Sequence, residues 1–388
     1  MTGLACAVLL AVQAQQTQPT VLRPPTRYAE PPSQYEQLVV QYQRGEYDSA
    51  VSQAARTPAT AFQAPFERVL ARLWYNALLE KHLKSRSVTP KPWHDAEDRL
   101  LRFLVAARLL HTEAALRAPI DQMGPHLQLA RTADTTIERL QRDLEPHPES
   151  STYLTREKIA KSRHDWVVFI ALGYHVRGVL DDLPKHLADE LQRYPEDPAL
   201  ELCLGVYDER MARYSVVDES LARDIYPSDH VAGWRHLLEK ALAAHELAAR
   251  APDLSVEAHL RMGRIRAQLN DRKRAREGLE PLAASADPPF IKYLALLLLG
   301  DVDELDKAPE AAAAHYRDAL ALFPASQAPL IALSRLSDAR GDMSGARDWL
   351  ERSFALSTNH RVDPWGVYYA PFVDISALLF SLREQIRK

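Results

Sequence analysis

The sequence predicts an all-α fold, an α-solenoid of antiparallel helical hairpins. Three observations carry this. Glycine is scarce, at 13 of 388 residues, Ala, Leu, Arg and Glu are abundant, and few stretches alternate apolar and polar residues, so helix is favoured over strand. Within Phe290–Asn359 the helix-face pattern of Ala312, Tyr316 and Ala319 returns 34 residues later, with Ala346 and Leu350 replacing Ala312 and Tyr316. Residues four and three apart share one face of a helix, and such a face recurring at a fixed period marks a helical array. Finally, four helices carry an apolar–glycine pair: Leu172-Gly173, Leu204-Gly205, Met262-Gly263 and Leu299-Gly300.

Together these features resemble the tetratricopeptide repeat (TPR) family. The resemblance covers 164–358 best, is eroded over 35–163, and reaches neither end of the chain. It implies a right-handed superhelix of hairpins, in which each glycine lets a neighbouring helix approach closely because it lacks a Cβ. It also implies a protein-binding role.

From the amino terminus, Gly3–Val12 is a short apolar run followed by Gln13-Ala14. A core of about ten apolar residues ending in a small residue matches a secretory signal peptide over 1–14, although Met1-Thr2 supplies no basic residue. The run is shorter than the roughly 20 residues a membrane-spanning helix needs. Residues 15–33 hold Pro19, Pro24, Pro25, Pro31 and Pro32 among Gln and Thr, and are expected to be a disordered or polyproline linker. With only Cys6 and Cys203 there is no disulfide framework, and Cys203 is expected to be a small buried hydrophobe.

Residues 34–163 read as four to six helices in degenerate hairpins or as a separate helical cap. Gly45, Tyr47 and Ala50 match the family's turn glycine and the residues after it. Phe66, Val69, Leu70, Leu73, Trp74, Ala77 and Leu78 follow helical spacing. Leu101, Leu104, Val105 and Leu109 repeat that spacing with Arg108 interrupting the stripe. Pro90, Pro92, Pro119 and Pro125 are expected to mark helix boundaries.

Residues 164–358 carry the repeats, each second helix ending near a proline: Pro195, Pro252, Pro288 or Pro324. The hairpin containing Gly205 departs from the pattern, because its second helix, Trp234–Arg250, begins about 24 residues late. The intervening 214–233 insertion, with Tyr214, Tyr226, Pro227 and Asp229, is expected to form a loop or short helix. Residues 359–388 hold an aromatic segment, with Trp365, Tyr368 and Tyr369, and a last helix striped by Ile375, Leu378, Leu379, Leu382 and Ile386. That helix is expected to cap the apolar face left by the last repeat, with the aromatics packed beneath it.

No constellation points to catalysis. The 14 histidines show no metal-ligand spacing and read as surface or partly buried helix residues. No nucleophile elbow or P-loop is present, and Asp181-Asp182, Glu304 and Asp306 read as solvated helix ends. No cofactor is implied.

Carried over from the family in the register of Gly263 and Gly300, the groove would be lined by Glu257, Leu260, Arg261, Arg264, Gln268, Leu297, Leu298 and Asp301, then Ile331, Arg335 and Asp338. A mixed apolar and Arg-bearing groove suits a peptide or partner helix. The family's Lys/Asn carboxylate clamp is absent, since Leu260, Arg264, Leu297 and Asp301 stand at its positions. Arg261, Arg264, Arg266, Arg272, Lys273, Arg274 and Arg276 form a basic cluster that reads as a solvated face paired with Asp271 and Glu277, and no nucleic-acid partner is expected. Net charge is only −4 with both signs interspersed, which gives no global drive toward nucleic acid or anionic lipid.

The functional expectation is a non-catalytic scaffold that binds a peptide or partner subunit, in an exported, periplasmic or secreted setting, or otherwise in the cytoplasm. The alternative is an enzyme or enzyme subunit with a site around the 214–233 insertion. On this register, Ala312→Trp should lower stability clearly and Arg264→Ala barely.

Overall fold

The computed structural model describes residues 34–62, 91–144, 156–222, 233–356 and 363–387. The leader, the linker, the Phe66–Leu78 stripe and Tyr226, Pro227 and Asp229 of the insertion lie outside them. Among the described residues every regular element is a helix. None of these helices is long and apolar enough to cross a membrane. The chain divides into two compact units, 1–153 and 154–388.

In the first unit, α1 (Gln34–Gln43) and α2 (Tyr47–Arg56) form a hairpin that packs on α3 (Lys91–Arg117), which pairs with α4 (Ile120–Leu144). Gly45 makes the α1–α2 turn at φ +91°, a left-handed conformation that glycine adopts without steric cost. Ala50 is fully buried just beyond it. The residue that breaks the α3 stripe is not a defect: Arg108 is buried and donates from Nη1 to Asp134 of α4 at 2.7 Å. Pro125 is not a boundary either, because it lies inside α4; Pro119 precedes the helix as expected.

The second unit is an α-solenoid. Its hairpins among the described residues pair α5 (Arg156–Arg177) with α6 (Leu183–Leu191), α7 (Pro198–Ala222) with α8 (Gly233–Ala248), α9 (Pro252–Gln268) with α10 (Arg272–Ser285), α11 (Pro289–Leu305) with α12 (Pro309–Leu322), and α13 (Ala328–Ala339) with α14 (Met343–Ala355). Proline stands in the first turn of α9, α11, α12 and α13, where its missing N–H has no helical acceptor to lose. Asp271 and Asp342 cap α10 and α14, each accepting a backbone N–H of the first turn. Most of α11 is buried, from Ile291 through Val302. A helix apolar on nearly every side belongs inside a core, and α11 packs on α9, α10 and α12.

The glycine register gives the seam its geometry. A Cβ on Gly263 would strike Leu279, one on Gly300 would strike Tyr316, and one on Gly205 would strike His245. The partner lies 16 residues downstream in the first two cases and 40 in the third, a difference equal to the 24-residue delay read from the sequence. His245 therefore fills the place that Leu279 and Tyr316 fill elsewhere. Part of the inserted stretch, Tyr214–Ala222, continues α7 instead of forming a separate loop or helix.

The tail departs from expectation. It does not cap α14, whose Met343, Leu350 and Phe354 stay 67%, 40% and 75% exposed. Instead residues 363–374, including a 3-10 turn at Pro364–Val367, form a strap across the first helices of the hairpins. The final helix α15 (Ile375–Arg387) then packs on α5, where Gln385 donates to Asp165 at 3.2 Å. Leu382 and Ile386 of the predicted stripe are buried there.

The histidine reading also needs correction. His111, His126, His175, His186 and His245 are buried. The Nδ1 atoms of His111 and His126 lie 3.3 Å apart between α3 and α4. Burial, with His126 adding, pulls the His111 pKa down to about 3.

Gly300→Ala drives a methyl group into the Tyr316 ring, and Ala312→Trp overfills a position with no exposed surface. Each is expected to cost about 1–3 kcal/mol, read as a lowered melting temperature. A variant of either kind that melts like the parent would refute the seam register.

Candidate functional site

The strap crosses one face of the second unit, its inner face, and contacts the first helices α7, α9, α11 and α13 there. At one end Asp363 anchors the strap. Its carboxylate accepts the Tyr293 hydroxyl at 2.7 Å, and the backbone N–H groups of Gln327 and Ala328 at 3.0 and 2.8 Å. Those N–H groups open α13, whose terminus favours negative charge. Further along, Arg261 donates from Nη2 to the Ala370 carbonyl at 2.8 Å, and the Phe372 N–H donates to Glu257 at 2.8 Å. Arg210 reaches the Tyr369 carbonyl at 3.4 Å.

Glu209 on α7 holds the centre. One carboxylate oxygen accepts from His245 Nε2 at 2.9 Å and Arg261 Nη1 at 3.3 Å, and the other accepts the Tyr368 hydroxyl at 2.7 Å. Burial by itself would raise this carboxyl. The His245 hydrogen bond and the charges of Arg261, His245 and Arg264 outweigh it and hold the pKa at about 2. Arg261 has no exposed surface; Glu257 at 2.8 Å completes its pairing, and the Tyr368 and Phe372 rings lie 4.6 and 4.9 Å from its guanidinium carbon. Arg264 packs over Tyr368 at 4.4 Å and Trp365 at 5.2 Å.

This arrangement redistributes the groove residues read from the sequence. Arg261, Arg264 and Gln268 line a cavity of about 460 Å³ together with Glu209, Arg210, Arg213, Trp234 and the strap tyrosines. Leu297, Asp301, Ile331 and Arg335 converge with Tyr316, Ala328, Ala332 and Trp365 on a second cavity of about 270 Å³. Leu260 and Leu298 do not face an open groove; both are buried in the core between hairpins. Asp338 is exposed and lines neither cavity.

Glu209, Arg210, His245 and the role of Tyr368 escaped the sequence reading. One signal was available for Glu209. It follows Gly205 by four residues, as Glu304 follows Gly300, and Glu304 accepts the Tyr316 hydroxyl at 2.6 Å in the same way.

The basic cluster is paired more widely than expected. Besides Arg274 with Asp271 and Lys273 with Glu277, Arg272 and Arg276 bind Asp306, Arg276 binds Asp303, and Arg266 meets Glu246. Cys203 is buried and free, and burial raises its thiol well above the usual range. Among the described residues no group of three or more metal-ligating side chains converges.

No protein-family model matches the chain, and no curated protein does. Among solved structures, a monomeric IFIT1 mutant with Gppp-AAAA is 15% identical, with 82% of this chain and 80% of that one covered and a TM-score of 0.37. The human IFIT1 dimer with m7Gppp-AAAA is 14% identical, covering 84% and 81% at 0.35. The Cut9 and Hcn1 hetero-tetramer of the APC/C is 17% identical, covering 91% and 79% at 0.30. These are loose likenesses, and the architecture stands on the hairpins themselves.

Arg264→Ala no longer qualifies as a silent change, because it strips the guanidinium from three aromatic rings of the strap. Glu209→Gln is the sharper test. Removing one partner of a buried ionic network costs about 3–5 kcal/mol near neutral pH. The carboxyl is lowered from 4.5 to about 2 on folding, so its contribution is complete above the higher value and fades as pH falls toward the lower one. Urea unfolding should therefore show the gap between parent and Glu209→Gln narrowing across that range. A constant gap would remove the linkage.

Proposed function

We propose that this protein is a non-catalytic scaffold that binds a peptide or partner subunit along the inner face of its second unit. The observation that supports this most directly is the strap. Side chains of α7 and α9 grip its backbone carbonyl and N–H groups at Tyr369, Ala370 and Phe372, and its aromatic rings pack on arginines. The face thus has the chemistry for an extended peptide, with hydrogen bonds for the main chain and apolar or cationic platforms for side chains.

The part left open for a partner is the cavity beside Trp365. Ile331 is 48% exposed at its rim, Leu297 lies at its wall, and Asp301 and Arg335 supply both charge signs. Arg335 is held at 2.6 Å from Glu304 but is largely exposed, so it can exchange that partner at little cost. An apolar side chain flanked by one charged or polar group fits this lining.

An exported setting, suggested by the amino-terminal run, belongs to the same proposal and is checked by amino-terminal sequencing of the mature chain. For the scaffold itself, affinity capture from the native envelope fraction should yield a stoichiometric partner. Ile331→Glu or Arg335→Glu should abolish its retention, while thermal melting changes little because both side chains are exposed. Retention unchanged in both variants, or a chemical activity of the isolated chain lost in either, would overturn the reading.

A further inference from the structure

We infer that the larger cavity, between α7, α8, α9 and the strap, is a separate binding site for a small amphiphilic oxyanion, with a carboxylate or phosphate head on an apolar or aromatic body. Its volume of about 460 Å³ lies in the range of small-molecule sites.

Charge accounting selects the sign of the ligand. The carboxylate in this wall is Glu209, already committed to His245, Arg261 and Tyr368. Arg261 is likewise committed to Glu209 and Glu257. Three more guanidiniums border the cavity. Arg264 comes no nearer to Glu209 than 3.8 Å. Arg210 donates to the carbonyls of His175 and Tyr369 at 3.2 and 3.4 Å, with no carboxylate partner among the described residues. Arg213 rests over the Tyr369 ring at 4.7 Å and has no acidic partner among them either. Among the described residues the lining therefore carries an excess of positive charge, which repels a cation and suits the planar pairing of a guanidinium with an oxyanion. A neighbouring group registers the same field: the His175 pKa falls to about 4, chiefly through burial, and the charges of Arg210 and Arg261 push it the same way.

The rest of the wall selects the body. Val206, Ala212, Leu238, Trp234, Tyr368 and Tyr369 present apolar and aromatic surface, which a bare hydrated ion would leave unused. Burying an apolar body there adds roughly 25 cal/mol for each Å² removed from water.

This site stands apart from the partner cavity, and its test does not touch Ile331 or Arg335. Isothermal titration of the full chain is read with 4-phenylbutyrate and phenyl phosphate, and with inorganic phosphate and 4-phenylbutylamine as controls. Saturable one-site binding is expected for at least one of the two aryl acids, and the stronger of them identifies the head. Inorganic phosphate and the amine should bind at least about tenfold more weakly, as should the better acid to Arg213→Gln or Trp234→Ala. Arg213 is exposed, so its replacement keeps the fold, which circular dichroism verifies. Failure of both acids to saturate, equal binding of either control, or unaltered affinity in both variants overturns the proposal.

Discussion

Glu209 is a carboxylate removed from water, and without partners it would oppose folding of the second unit. Its partners come from three places that are remote in sequence: Arg261 on α9, His245 on α8 and Tyr368 on the strap. Burying an ion costs several kcal/mol unless nearly every lone pair is answered, so the cost is offset only when all these elements are seated together. The strap is thereby tied to two successive hairpins. This explains why Tyr368, on an irregular segment, is among the most buried aromatic residues.

The seam supplies the second constraint. Where a glycine on one first helix faces a bulky side chain on the second, the helices approach more closely than a Cβ would allow. In one hairpin the bulky residue is Leu279 and the contact is purely apolar. In the other two it is Tyr316 or His245, and the acid one turn beyond the glycine, Glu304 or Glu209, accepts its hydrogen bond. One geometric motif thus produces a dry contact in one hairpin and a polar one in its neighbours. The polar version in α7–α8 is the one the strap exploits.

Filling its own inner face changes what such an array can offer. The residues best buried beneath the strap, Arg261 and Glu257, serve the fold, while the two cavities flanking the strap differ in chemistry. One is bordered by Arg210 and Arg213, which have no carboxylate partner among the described residues. The other is apolar, with Asp301 and Arg335 at its edge. Meanwhile α14 keeps an apolar outer face because the chain runs back toward α5 instead of folding over it.

The helical class, the hairpin order, the glycine register and even the length of the insertion were legible in the sequence, because each is a local matter of period, turn chemistry and helix-face spacing. Gly205, Gly263 and Gly300 announced the seam, and the prolines between hairpins announced where one ends and the next starts. Tertiary structure alone decided which inner-face residues remain open. Arg261 and Ile331 both read as groove residues in the sequence, yet Arg261 is sealed and Ile331 is bare, because a segment more than one hundred residues downstream of Arg261 lies over it. Aromatic and proline content showed that 360–371 could not continue the repeat, but not where it would go. Its path depends on the summed burial and hydrogen bonding that Tyr368, Ala370 and Phe372 gain from α7 and α9, and no local pattern encodes a contact at that separation.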